Sequence, residues 1–79
     1  MNIKKVPREI NFPENRELAD KLLRGDRVKI AKYSGMQPGT VRDMLYGYRR
    51  INDEVGRAII RLIAERKVIA QSLEEIANQ

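Results

Sequence analysis

The sequence predicts an all-α domain. Apolar residues recur at spacings of three and four, the period of an amphipathic helix, and β-branched runs with a period of two are missing. Glycine and proline divide the 79 residues into short helical segments and one long one. A chain of this length forms one domain that buries only about 60% of its unfolded surface. We therefore expect a small domain of four or five helices with a long C-terminal helix.

The first predicted helix covers roughly residues 13–24. Pro13 suits the first position of a helix, where its missing N–H carries no cost. Gly25 is expected to stop the helix. Residues 1–12 lack helical periodicity and predict a flexible, basic N-terminal arm. The apolar residues at helical spacing in this first helix are Leu18, Ala19, Leu22 and Leu23.

Two short helices are predicted next, separated by only a few residues. Asp26 is expected to cap the second helix with its carboxylate, and Gly35 to end it after about two turns. Pro38 opens the third helix and Gly47 closes it. The apolar residues that we assign to the core from these helices are Val28, Ile30, Ala31, Val41, Met44 and Leu45, with Tyr33 at the core edge.

The fourth predicted helix is long. Asn52 is a good N-cap, and one helix over about residues 53–77 is possible because no Gly or Pro follows Gly56. A break near Lys67–Val68 is the alternative. One apolar stripe, interrupted only by Arg66, continues through this segment: Val55, Ile59, Leu62, Ile69, Leu73 and Ile76.

The charge of the chain indicates a polyanionic partner. The 16 Lys and Arg residues outnumber the 11 Asp and Glu residues, which gives a net charge of +5. Residues 26–50 carry six basic and two acidic residues, a net of +4, whereas residues 51–79 carry four and five, a net of −1. A surface with this focus of positive charge attracts nucleic acid first and an anionic membrane second.

Residue types that catalysis commonly needs are absent from the sequence. The chain has no histidine and no cysteine, which removes the commonest general base, metal ligand and thiolate nucleophile. The acidic pairs Asp53-Glu54 and Glu74-Glu75 have no partner group that would make them catalytic. We therefore expect no enzyme activity, no cofactor and no metal. No apolar run approaches the ~20 residues of a membrane span or resembles a signal peptide, which predicts a cytoplasmic protein without a membrane partner.

The stretch from Ile30 to Gly47 has the spacing of a helix-turn-helix. Ala31 is small where the second of the two helices must cross close over the first. Gly35 can adopt the left-handed conformation that a sharp turn requires. Three side chains are expected to point inward and to fix the angle between the helices: Met36, Val41 and Leu45.

This stretch resembles the DNA-binding helix-turn-helix of phage repressor/Cro-like and lac-repressor-like regulators, whose common form is I/V-A-x-x-x-G-V-S-x-x-T-V-x-x-x-L-x-G. Gln37 stands where the family usually has Ser or Thr, and Gly39 where a base-reading side chain often lies. The resemblance covers about residues 13–66 and implies a lambda-repressor-like DNA-binding domain there, with residues 38–46 as the recognition helix in the major groove. The residues that match the form are Ile30, Ala31, Gly35, Thr40, Val41, Leu45 and Gly47, with Met36 as a conservative variant.

The resemblance and the chemistry of the side chains together suggest DNA contacts. Arg42 suits the O6 and N7 atoms of guanine, with a phosphate contact or a solvated charge as the alternative. Asp43 either accepts from cytosine N4 or holds Arg42 in place. The expected base contacts are Gln37, Arg42, Asp43 and Tyr46. The expected phosphate contacts are Arg27, Lys29, Thr40, Tyr48, Arg49 and Arg50. In the N-terminal arm, the residues expected to follow or enter the minor groove are Lys4, Lys5 and Arg8.

Double-stranded DNA binding by a small prokaryotic or phage-type transcriptional regulator is therefore the function that the sequence predicts. The alternative is an antitoxin-like or other protein-interaction module that uses the helix-turn-helix structurally. An RNA-binding domain is a third possibility, but the chain lacks the aromatic platform for stacking single-stranded bases.

Residues 67–79 form a predicted helical extension beyond the helix-turn-helix domain. Its apolar residues are expected to form a homodimer interface, since exposing three aliphatic side chains on one face is costly for a monomer. Folding of this extension back onto the first helix is the alternative. The expected interface residues are Ile69, Leu73 and Ile76.

Overall fold

The computed structural model describes residues 8–79, which form four α-helices and no strand. The helices are α1 (Asn15–Asp20), α2 (Asp26–Ser34), α3 (Pro38–Tyr46) and α4 (Asp53–Ala77). The expected all-α fold with a long last helix is confirmed. Within this part of the chain, no helix is both long and apolar enough to cross a membrane.

The core lies where α2, α3 and α4 meet, and α1 packs against α3. Ile30, Val41 and Val55 contribute one fully buried side chain from each of the three central helices. Tyr33 lies at the edge of the core, as expected. The buried apolar residues are Ile30, Ala31, Val41, Met44, Leu45, Val55, Ala58, Ile59 and Leu62.

Three residues that were assigned to the apolar side of their helices are instead exposed, and one of them, Leu18 on α1, is 38% exposed. Val28 is 61% exposed, because it precedes the buried Ile30 by two residues and therefore lies about 200° around α2 from it. Leu23 is 64% exposed, because it lies beyond the end of α1. Helical spacing alone does not identify the residues at which a helix stops.

α1 is shorter than the predicted helix over 13–24. The chain leaves the helix after Asp20, and the backbone N–H of Leu23 donates to Oδ2 of Asp26 at 2.6 Å instead of continuing the helix. The prediction that Asp26 caps α2 is also wrong. Gly25 occupies the N-cap position with φ of 88°, and Asp26 is the first, buried residue of the helix. Its carboxylate therefore organises the turn before α2.

The signals at the other helix ends are confirmed. Gly35 ends α2 and Gly47 ends α3, both with positive φ, and Pro38 is the first residue of α3. Oδ1 of Asn52 accepts a hydrogen bond from the backbone N–H of Val55 at 2.9 Å, which caps α4. These ends were predictable because each depends on local backbone chemistry.

Gly47 also lies where the N-terminal segment crosses the end of α3. The backbone N–H of Phe12 donates to the carbonyl oxygen of Gly47 at 3.0 Å. A Cβ at position 47 would lie 2.6 Å from the carbonyl oxygen of Phe12. The close approach and the φ of 90° both require glycine here.

We expect Gly47→Ala to lower the free energy of unfolding by about 2 kcal/mol, because the left-handed conformation costs a non-glycine residue about 1–2 kcal/mol and the clash adds to it. The matched control is Gly39→Ala, since Gly39 is helical and has open space around its Cβ position. That variant should equal the wild type or gain up to about 1 kcal/mol. Urea denaturation measures both, and equal stabilities for the two variants would refute the packing described for Gly47.

α4 is one continuous helix from Asp53 to Ala77, so the alternative break near Lys67–Val68 does not occur. One face of its first half is buried in the core, whereas every residue from 67 to 79 is exposed. The alternative in which this extension folds back onto the first helix is therefore wrong. The last residues of the chain project from the body as the end of α4.

Candidate nucleic-acid interface

α3 presents one side to the core and the opposite side to solvent. Val41 and Leu45 are buried, whereas the side chain of Arg42 is 51% exposed and Tyr46 is 44% exposed. Gln37 is exposed at the start of the helix, and its side chain makes no capping hydrogen bond to α3. Three of the residues that were predicted to contact bases are therefore accessible to a ligand: Gln37, Arg42 and Tyr46.

The start of α2 and the second half of α3 border a common concavity of about 350 Å³. Arg24 and Arg27 border it from the α2 side, and Arg42 and Tyr46 from the α3 side. The structure thus brings together Arg27 and Arg42 and adds Arg24, which was not among the residues predicted to contact DNA. Its apolar lining consists of Ala19, Leu22, Leu23, Val28 and Leu45.

Arg8 lies against another part of α3. Its Nη2 donates to Oδ2 of Asp43 at 3.0 Å, and its guanidinium carbon lies 4.5 Å from the centre of the Tyr48 ring. The Tyr48 ring meets the Tyr46 ring edge-to-face, with centroids 6.1 Å apart. Residues 8–12, which were expected to belong to a free arm, are therefore held against α3. The predicted arm residues Lys4 and Lys5 lie outside the described residues.

Asp43 is surrounded by arginines. The hydrogen bond from Arg8 holds the pKa of the Asp43 carboxyl below its usual range, and the charges of Arg42 and Arg49 act in the same direction. Oδ1 of Asp43 is buried, lies 3.8 Å from Nε of Arg42 and has no hydrogen-bond partner among residues 8–79. Asp43 and Arg42 therefore form an ion pair without a hydrogen bond, and the role of Asp43 in holding Arg42 in place stays a prediction.

Asn15 fixes the loop that follows α3. It is only 7% exposed, and its side-chain amide nitrogen donates to the carbonyl oxygens of Met44 and Arg49, both at 3.0 Å. The first turn of α1 therefore determines where the loop with Arg49 lies relative to α3. This role of Asn15 could not be predicted from the sequence, because one asparagine in the first turn of a helix resembles any surface asparagine.

Arg49 and Arg50 are both exposed after α3, but they have different neighbours. The charge of Arg49 acts on Asp43, whereas Arg50 borders a hollow with Asp53 and Glu54 at the start of α4. The structure therefore associates Arg49 with the arginines around α3 and places Arg50 beside acidic groups. Thr40 and Tyr48, two further predicted phosphate contacts, are half-buried.

The remaining predicted phosphate contact, Lys29, lies near the ion pair that joins α2 to α4. Nη2 of Arg66 donates to Oδ1 of Asp26, and this interaction holds the pKa of the buried Asp26 carboxyl below its usual range. The charge of Lys29 contributes to that lowering. A hydrogen bond from Tyr33 is the main cause that lowers the pKa of Glu65, and the charge of Lys29 adds to this lowering.

We define the arginine surface as the five exposed arginines that lie around α3. Asp43 is the acidic residue among them, and Arg8 already pairs with it. Tyr46 and Tyr48 add two phenol groups beside these cations. The members of the arginine surface are Arg8, Arg24, Arg27, Arg42 and Arg49.

No protein-family model, curated protein or solved structure matches this chain. The functional argument therefore depends on the residues and the geometry described above.

Proposed function

We propose that this domain binds double-stranded DNA, with α3 in the major groove and the arginine surface on the flanking phosphates. The observation that carries the proposal is the gathering of five exposed arginines around an exposed helix, with one carboxylate that is already paired. DNA backbones attract such surfaces by their charge. The major groove, about 12 Å wide, admits an α-helix.

The arrangement of α2 and α3 supports a lambda-repressor-like helix-turn-helix. α2 ends at a glycine with positive φ, and a short turn leads to Pro38 at the start of α3. Met36, Val41 and Leu45 pack inward, as this motif requires. The exposed start of α2 then carries Arg27, which is where backbone contacts are expected beside the recognition helix.

Each side chain around α3 has a role in the proposed complex. Arg42 donates to guanine, and Asp43 orients it from the protein side. Gln37 and Tyr46 contact base edges from the two ends of α3. Arg24, Arg27 and Arg49 bind phosphates together with Thr40, Tyr48 and Arg50, whereas Lys29 contributes long-range charge from its place beside Asp26.

In the cell, such a domain serves as a transcriptional regulator that recognises a short DNA sequence. The exposed apolar residues at the end of α4 favour a protein contact in addition. They also support the alternative function, a protein-interaction module, in which the arginine surface would bind an acidic protein instead of DNA. The two functions differ in whether the domain binds DNA when no protein partner is present.

Selection from a pool of random duplexes with the full chain tests the proposal. We expect enrichment of one short sequence and retention of that duplex at low salt. The matched control is Arg57→Ala, since Arg57 is an exposed arginine of α4 outside the arginine surface and should not alter the selected sequence. A pool without enrichment, together with no complex at low salt, would refute DNA binding and favour the protein-interaction module.

A further inference from the structure

The apolar stripe of α4 continues past the folded body. In the first half of the helix this stripe is buried against the core. Arg66 is the last residue of α4 that is partly buried, and it pairs with Asp26. Beyond it, the three aliphatic side chains that continue the stripe remain exposed, and we call them the tail stripe. They are Ile69 (59% exposed), Leu73 (61%) and Ile76 (65%).

The tail stripe has the spacing of a helix-pairing surface. Arg66 and the three apolar residues follow one another in steps of three, four and three, which are the a and d positions of a heptad. Ala70, Ser72 and Ala77 flank the stripe, and small side chains there allow two helices to approach closely. The charged residues Lys67 and Glu74 lie about 100° or more around the helix from every residue of the stripe.

The charges along this segment favour a second copy in the opposite direction. Arg66 and Lys67 lie at its start and Glu74 and Glu75 near its end, and no basic residue follows Lys67. A parallel pair would place like charges at the same end of the two helices, whereas an antiparallel pair places opposite charges at each end. We propose that residues 66–77 of α4 pair antiparallel with the same segment of a second copy, with Leu73 packed against the partner's Ile69.

This pairing sets the distance between the two domains. Its two-fold axis passes near residue 71, and Ile59 in the core lies twelve residues away, or about 18 Å along the helix. The two bodies are therefore about 36 Å apart along α4. This separation of the two domains is of the same order as the spacing of about 34 Å between successive major grooves on one face of B-DNA. The match in spacing depends on the proposed function, but the self-association does not.

Sedimentation equilibrium on the full chain without DNA tests the association. We expect a monomer–dimer equilibrium in roughly the micromolar range, as a small interface gives. Leu73→Asp should weaken it at least about a hundredfold, because two carboxylates would enter the interface. Gln71→Asp is the matched control, since it adds the same charge on the opposite side of the exposed helix and should dimerise like the wild type. A wild-type chain that is monomeric at every concentration, or a Leu73→Asp variant that dimerises normally, overturns the proposal.

Single cysteines test the direction, because the chain has no cysteine of its own. In the antiparallel pair, position 72 lies next to the two-fold axis, so Ser72→Cys should form a disulfide-linked dimer under mild oxidation. Ile76→Cys should not, because its two copies are about 15 Å apart along the helix. Cross-linking of Ile76→Cys instead of Ser72→Cys would show a parallel pair and overturn the proposed direction. A dimer that fails to bind DNA would leave this inference intact and refute the proposed function alone.

Discussion

Asp26→Ala is expected to lower the free energy of unfolding by about 3 kcal/mol, because removal of one partner of a buried ion pair leaves the other uncompensated. Asp26 is 2% exposed and accepts hydrogen bonds from Arg66 and from the backbone N–H of Leu23. The variant therefore loosens both the attachment of α4 to α2 and the turn before α2. Arg66 keeps 32% of its side-chain surface exposed, so water limits the loss to the lower end of the range for buried pairs.

The same variant should change the response of the protein to acid. The Arg66 guanidinium lowers the pKa of Asp26 in the folded state. The ionised Asp26 carboxylate therefore stabilises the fold in full above its pKa in the unfolded chain, about 3.9. This stabilisation is lost as the pH falls through its lower pKa in the folded protein. Urea denaturation from pH 7 to pH 2.5 should show a smaller acid-induced loss for Asp26→Ala than for the wild type.

Asp20→Ala is the matched control, since Asp20 is an exposed aspartate at the end of α1. It should remain within about 0.5 kcal/mol of the wild type at pH 7. If Asp26→Ala and Asp20→Ala were equally stable at pH 7, the contribution assigned to the ion pair would be wrong.

Arg42→Ala is expected to lower the affinity for the selected duplex by about 1–3 kcal/mol, with little effect on a random duplex. Arg42 is the arginine on the exposed side of α3, and its replacement by alanine would remove the proposed bidentate contact to guanine. Arg50→Ala should weaken both duplexes alike, because a phosphate contact carries no sequence information. Fluorescence anisotropy with the two duplexes at one salt concentration measures the affinities of the wild type and of both variants.

The comparison between the two duplexes separates the roles of Arg42. Equal losses on the selected and the random duplex would show that Arg42 contacts only the DNA backbone. Arg42 would then make the phosphate contact that was its alternative role, and base readout would have to come from Gln37 and Tyr46. Arg57→Ala should change neither affinity, because Arg57 lies on α4 outside the arginine surface.

Helix ends that depend on local chemistry could be predicted, whereas the end of α1 could not. Gly35, Gly47 and Asn52 act through their own backbone or side chain on the adjacent helix. α1 ends early because Asp26 takes the N–H of Leu23, and Asp26 is itself paired with a residue 40 positions away. No pattern in the sequence predicts that residues 26 and 66 form this pair.

The candidate site was predicted where helical periodicity decides which side chains are exposed. This holds for Arg42 and Tyr46, since the neighbouring apolar residues of α3 face the core. Periodicity could not reveal that Arg8 pairs with Asp43 or that Asn15 holds the loop after α3, because both contacts join distant segments. It also could not show that Lys29 lies beside acidic groups of the fold.

The salt dependence of duplex binding by the full chain decides whether the arginine surface binds the DNA backbone. If each copy neutralises about four to six phosphates, log K should fall against log[salt] with a slope near −4 to −5. Replacement of Arg24 and Arg27 by alanine should make that slope shallower by about 2. Absence of binding at low salt, or binding that does not weaken as salt is added, would contradict the proposal that this domain binds DNA through α3 and the arginines around it.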